Sequence, residues 1–295
     1  MRYQIQNEKL TVQIDSLGAQ LCSIKGADST EYLWQGDPKY WSDRALNLFP
    51  YIARLTDGKY TLDGETYKMD IHGFAKNTVF KVEQKSDSHI VFSMENTEET
   101  YKQYPYAFRF EISYQLEGNK LFTTYHVENK DDKEMYFGVG GHPGFNVPFE
   151  KDTVFEDYYL EFDAAVEAKR VGFSEDCFVT GENEVFSLQE GKCLPIRHDM
   201  FDDDAIVLVD MAKGVTLKSS KGNKAIHVTY PDMPYLGLWH KPKTDAPYIC
   251  IEPWSSLPSR KGIVEDLRTQ PGLLSLETGR ECDKQFVIEV IPNLE

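Results

Sequence analysis

Four short segments carry the residue types that could do chemistry. In Tyr248-Ile249-Cys250-Ile251-Glu252-Pro253-Trp254 a single carboxylate interrupts an otherwise apolar strand. A buried, unpartnered charge is costly, so Glu252 should be paired, turned to solvent by strand alternation, or tuned as a base. In Gly138-Val139-Gly140-Gly141-His142-Pro143-Gly144-Phe145-Asn146 three glycines precede a histidine that Pro143 biases toward extended backbone. Imidazole titrates near neutrality, so His142 suits giving up a proton and recovering it. Because glycines weaken strands, their clustering predicts close packing against something other than side chains.

In Ile71-His72-Gly73-Phe74-Ala75, Gly73 permits close backbone approach. His72 then either holds a ligand oxygen or is a core histidine with satisfied nitrogens. Arg54 ends the run Asn47-Leu48-Phe49-Pro50-Tyr51-Ile52-Ala53, just ahead of a strand. Its guanidinium either donates paired hydrogen bonds to ligand hydroxyls or forms a surface ion pair. Trp239 and Trp254 are stacking platforms for a ligand ring or bulky core residues. No metal is expected: a His-x-His array is absent, and neither His72 nor His142 has a close ligand-type neighbour in sequence. Gly-x-Ser-x-Gly, P-loop and dinucleotide signatures are also missing, which leaves hydrolase-elbow, NTPase and Rossmann chemistry without a foothold.

The elements that must position these residues read as strands. Lys59–Leu62 and Glu65–Met69 flank Asp63-Gly64, a pair that supplies the positive φ angles of a tight two-residue turn. Ile112, Tyr114 and Leu116 alternate with polar residues before Glu117-Gly118-Asn119 turns the chain into Leu121–Val127. Similar pairs are predicted around 86–88, 181–183, 221–223 and 279–283. Only Glu98–Tyr104 and Ile263–Thr269 could be short helices. With no linker and no repeat, residues 1–295 read as one domain, a large antiparallel sandwich in the all-β class.

Composition narrows the function. The chain has 295 residues, 41% of them hydrophobic and 13% aromatic, enough for a sizeable core. Against 32 basic residues stand 48 acidic ones, a formal net charge of −16 that repels nucleic acid and anionic membranes. Five scattered cysteines without C-x-x-C spacing read as reduced thiols. No signal-peptide pattern and no membrane-length apolar run is visible, so a cytoplasmic protein is expected.

Taken in order, these segments resemble the aldose 1-epimerase (galactose mutarotase) family, in particular its LacX-type branch. The likeness rests on Asn47–Pro50 with Arg54–Tyr60, His72-Gly73-Phe74, His142–Asn146, Phe201–Ala205, Leu236–Trp239, Ile249–Trp254 and a closing Leu276–Gly279 hairpin. It implies one β-supersandwich with an open sugar cleft and interconversion of α and β anomers of a free aldose, without a cofactor. By position, Glu252 matches the general base acting on the C1 hydroxyl and His142 the general acid acting on the ring oxygen. His72 and Arg54 match substrate-binding positions, and Asp204, within the run Asp202-Asp203-Asp204, matches an additional acidic one. Trp239 is taken with them as a substrate contact. Two departures stand out: the classical mutarotases carry Asn before the histidine and Glu-Thr-Gln at the base, where this chain has Gly141 and Glu252-Pro253-Trp254. A hexose-6-phosphate epimerase, calling on Arg44, Lys241 or Lys243, and a non-catalytic carbohydrate-binding sandwich are the alternatives.

Overall fold

The structure, a computed structural model, describes residues 1–294. Two antiparallel sheets dominate it. One has nine strands in the order Cys193–Pro195, Tyr158–Phe162, Gly214–Ser219, Ala225–Thr229, Glu281–Ile291, Lys120–Asn129, Phe108–Glu117, His89–Glu95 and Lys81–Lys85. The other has seven, in the order Glu184–Val185, Lys169–Arg170, Ile206–Val209, Tyr235–Trp239, Tyr248–Trp254, Gly140–Asn146 and Ala45–Leu48. A three-stranded sheet, Arg2–Gln6, Leu10–Asp15 and Gln20–Gly26, packs beside them. Among the described residues the one α-helix is Glu98–Gln103, whose first turn is closed by Thr97 accepting from the Thr100 N–H. This is the all-β antiparallel sandwich that the alternating pattern predicts, and the supersandwich that the resemblance implies.

Alternation explains which face each strand buries. In Phe108–Glu117 every second residue from Phe108 to Leu116 is buried, and its partner Lys120–Asn129 repeats the pattern. Tyr248–Trp254 is instead buried at all seven positions, because its two faces are covered by different things. One face meets the nine-stranded sheet and the other floors a cleft. Asn47 and Gly141, paired across neighbouring strands, mark the inner face. Asn47 donates to the Gly18 and Ala19 carbonyls at 2.9 and 3.0 Å and accepts from the Tyr125 hydroxyl at 2.8 Å, so one buried amide ties three sheets together. Phe49 stacks on Phe110 with centroids 4.3 Å apart, and a single apolar cluster runs from Ile5 to Val290.

Several local expectations need correction. The Asp63-Gly64 hairpin forms as read, with φ of 55° and 85° at the two turn residues. Ile263–Thr269 is irregular, because its backbone is engaged elsewhere: Thr61 N–H donates to Glu265 O and Leu267 N–H to Thr61 O. The turn at Gly279 reverses the chain without making a hairpin, since Leu274–Leu276 pairs with Met135–Phe137 while Glu281–Ile291 joins the nine-stranded sheet. Near 181–183 the later strand, Glu184–Val185, pairs with Lys169–Arg170 and not with residues just before the turn.

Candidate active site

Strand register creates the site. Gly140 opposes Trp254 and Gly144 opposes Cys250, so His142, midway between the glycines, faces Glu252, midway between their partners. On its other side His142 opposes Leu46, Glu252 opposes Gly237, and Gly237 opposes Val207. Leu46, His142, Glu252, Gly237 and Val207 therefore form one row across five strands, on the face away from the core. Gly237 is needed there, since a Cβ would lie 3.2 Å from the Glu252 Cβ and 3.3 Å from the Trp254 ring.

His142 Nε2 and Glu252 Oε2 lie 3.3 Å apart, with the residues only 8% and 1% exposed. Burial drives both toward neutrality. Desolvation pushes the Glu252 carboxyl well above its ordinary range, and the negative charge of Asp204 adds to the rise. The Trp254 indole N–H opposes it weakly, because that N–H completes no hydrogen bond. His142 is pulled down from 6.5 to about 3, mainly by burial. The cause is visible in its surroundings: Trp41 lies over the imidazole at 4.8 Å, and Trp239 and His72 each meet it edge-on at 5.6 Å. The sequence expectation that Glu252 might face solvent by alternation fails because the outer face of its strand is itself covered.

His72 is locked by reciprocal backbone contacts. Its N–H donates to the Ala53 carbonyl at 3.0 Å, and its Nδ1 accepts from the Ala53 N–H at 3.1 Å. With Nδ1 occupied as an acceptor, the neutral ring carries its proton on Nε2. Burial, then repulsion from the charges of Lys76, Arg54 and His142 in its protonated form, holds the His72 pKa well below 6.5. Gly73 has φ +70° and sits against the Phe49 carbonyl, where no side chain fits. Arg54 Nη2 is 3.9 Å from Asp204 Oδ2, and the Cys177 thiol donates to the same oxygen at 3.2 Å. Asp202 is turned to the Lys243 N–H at 3.2 Å, so within the acidic run it is Asp204 that meets Arg54.

All six residues singled out from the sequence, Arg54, His72, His142, Asp204, Trp239 and Glu252, line one cavity of about 280 Å³. Trp41, Lys76 and Cys177 line it too and were not anticipated. Trp41 lies in the irregular stretch between Gly26 and Ala45, where no periodicity marks an inward position; its only signal is the aromatic pair Tyr40-Trp41. The expectation for the glycines before His142 holds at one position and fails at two: a Cβ on Gly140 would lie 2.7 Å from the Pro253 carbonyl oxygen, whereas Gly138 makes room for the Ser256 side chain and Gly141 for the Phe286 ring. In space, though not in sequence, Glu252 and Cys250 offer ligand-type atoms within 4.8 Å of one another and of a His142 ring nitrogen. The two departures from the family pattern also separate. Gly141 faces the core against Phe286 and Tyr125, whereas Trp254 lines the cavity.

The fold is an antiparallel supersandwich with a histidine and a glutamate side by side on the outer face of its seven-stranded sheet. The chain belongs to the aldose 1-epimerase family, whose model matches residues 1–266. Protein LacX, chromosomal, of Lactococcus lactis subsp. lactis is 33% identical over 293 residues, covering 95% of this chain and 97% of its own. A galactose mutarotase related enzyme from Lactobacillus acidophilus superimposes with a TM-score of 0.95 at 34% identity, over 100% of this chain and 99% of its own. A galactose mutarotase-like protein from Lactobacillus casei gives 0.92 at 33% identity, over 98% of this chain and 100% of its own.

Proposed function

We propose that this protein is a mutarotase that interconverts the α and β anomers of a free hexose by acid–base ring opening and reclosure. The observation that carries this reading is the 3.3 Å contact between His142 Nε2 and Glu252 Oε2 at the cavity floor. The hydroxyl and ring oxygens of a cyclic sugar are both bonded to C1, so they lie closer together than that. Two proton carriers side by side match two oxygens side by side.

The pair works on one shared proton. Sugar binding selects the form with the proton on His142, because the C1 hydroxyl donates to a carboxylate and the ring oxygen accepts from an imidazolium. Glu252 takes the hydroxyl proton as His142 gives its own to the ring oxygen, and the ring opens to the aldehyde. Opening leaves a neutral carboxyl and a neutral imidazole, the state that burial favours. Rotation about C1–C2 presents the other aldehyde face, and reclosure returns both protons. Arg54 and the Nε2–H of His72 hold hydroxyls, Asp204 anchors Arg54 and accepts from the sugar, and Trp239 packs against the ring. No cofactor enters these steps.

Charge favours a free sugar over a phosphorylated one. Asp43, Asp203, Asp204 and Glu252 line the cavity against only Arg54 and Lys76. Arg44 and Lys241 are not among its lining residues, and Lys243 lines a neighbouring depression. The formal charge of −16 argues in the same direction against nucleic acid and membrane partners, and we place the protein in the cytoplasm. Among the described residues no helix is long and apolar enough to cross a membrane. A purely sugar-binding role would leave unexplained a buried acid–base pair that costs stability. Polarimetry of freshly dissolved α-D-glucose and α-D-galactose tests the reading: faster relaxation is expected with at least one. Acceleration confined to the 6-phosphates would move the substrate to the phosphorylated class, and sugar binding without acceleration would leave only a binding protein.

A further inference from the structure

We infer that the cleft floor is also a binding site for one thiophilic divalent cation, zinc being the representative, held by Glu252, His142 and Cys250. The three donor atoms lie within 4.8 Å of one another. Register explains the cluster: Cys250 and Glu252 are two residues apart on one strand and share a face, and His142 opposes Glu252 on the next. The 3.3 Å between His142 Nε2 and Glu252 Oε2 matches a tetrahedral edge around an ion with bonds of about 2.0–2.1 Å to nitrogen and oxygen.

A second observation points to a ligand. Glu252 Oε2 is buried without a hydrogen-bond partner, on a residue 1% exposed, and it is aimed at the histidine. Buried carboxylate oxygens are rarely left so. Cys250 is fully buried and has no part in the proton transfers. A packed core cysteine alone would call for no explanation; sharing a face with the acid–base pair is what distinguishes this one. Imidazole, thiolate and carboxylate together suit zinc, cobalt or cadmium, whereas magnesium and calcium require oxygen donors. His142 and Glu252 line the cavity, from which a fourth ligand would enter, while Cys250 is fully buried beside them.

Binding balances in protons and charge. The ion takes neutral His142, ionised Glu252 and ionised Cys250, so the pair's shared proton and the thiol proton leave, two per ion, and the ion with its three ligands is neutral. Asp204, already close enough to act on Glu252, adds negative potential. An ion here occupies the lone pairs that act on the sugar, so it would compete with substrate and switch the enzyme off reversibly. That consequence rests on the mutarotase reading; the binding itself does not.

The test uses the full chain freed of metal by chelation and titrated with cobalt(II). One equivalent is expected to bind with a thiolate-to-cobalt charge-transfer band and intense tetrahedral visible bands, and zinc should bleach both. Cys250→Ala, checked for folding by circular dichroism, should weaken binding by more than the roughly 10–100-fold that losing a partner behind a ligand costs, while Cys177→Ser should not. Should the Cys250 variant fail to fold, the wild-type spectrum decides. Absence of a thiolate band, or several weak ions spread over surface carboxylates, overturns the inference. A protein that binds cobalt through thiolate yet never anomerises a sugar keeps this site and refutes the mutarotase reading. One that anomerises sugars without a thiolate band does the reverse.

Discussion

Replacing Glu252 by glutamine separates catalysis from stability in a way that only a buried base allows. The amide keeps the shape of a protonated carboxyl and can still donate to the His142 imidazole, but it cannot take a proton. Losing a positioned general base removes about 10²–10⁴ in rate, which corresponds to about 3–5 kcal/mol at 1.36 kcal/mol per tenfold. Stability should move the other way. Because burial raises the folded-state pKa of Glu252 above its ordinary value of 4.5, the unfolded chain releases this proton first as pH rises. The stability tied to this group is full below 4.5 and declines as pH climbs toward the folded-state value. At pH 7 the wild type carries that loss and the glutamine variant does not. Glu252→Gln should therefore melt at or above the wild type at pH 7, and its advantage should shrink toward pH 4. Polarimetry with thermal melts at the two pH values checks both halves. A rate within tenfold of wild type, or a variant that loses ground to the wild type between pH 4 and pH 7, would refute the reasoning.

Three further outcomes follow from the same geometry. The active pair carries one proton, and its second is resisted by a His142 pKa near 3, so the acid limb of kcat/KM should sit near 3 and far below 6.5 wherever the fold persists; a limb at 6.5 would contradict the burial. Trp41→Ala uncovers the imidazole, so that limb should move up toward 6.5, and an unmoved limb would show that Trp41 does not desolvate His142. Gly141→Asn would bring a Cβ 2.9 Å from the Phe286 ring and 3.2 Å from the Tyr125 hydroxyl. It should destabilise by about 1–3 kcal/mol, read as a lower melting temperature, and an unchanged melt would mean that the core yields there.

Local chemistry made the strands legible. Asp63-Gly64 specifies its turn through residues that accept positive φ, and the alternation from Phe108 to Leu116 names the buried face without reference to the rest of the chain. Glu252 was legible as unusual, because a carboxylate in an apolar strand demands a reason. Its burial was not, since a central strand covered on both faces loses the alternation that would reveal which way a side chain points. The contact between His142 and Glu252 depends on register between strands 110 positions apart in the sequence, a property of the assembled sheet. Trp41 escaped notice because irregular backbone has no period to read. The glycines before His142 signalled close packing correctly, but what packs there is a hydroxyl, a carbonyl and an aromatic ring in turn, and only the folded sheet brings Ser256, Pro253 and Phe286 to them.

In the proposed mechanism His142 and Glu252 together pass protons to and from one sugar. Magnetisation exchange between the α and β anomeric proton signals of a free hexose at equilibrium measures that directly, because it reports interconversion without net change. Catalytic amounts of the protein should speed the exchange, and His142→Asn and Glu252→Gln should each abolish the gain, with the double variant no slower than either alone. Exchange that is unchanged by the protein across glucose, galactose and their phosphates, or that survives both substitutions, would contradict it.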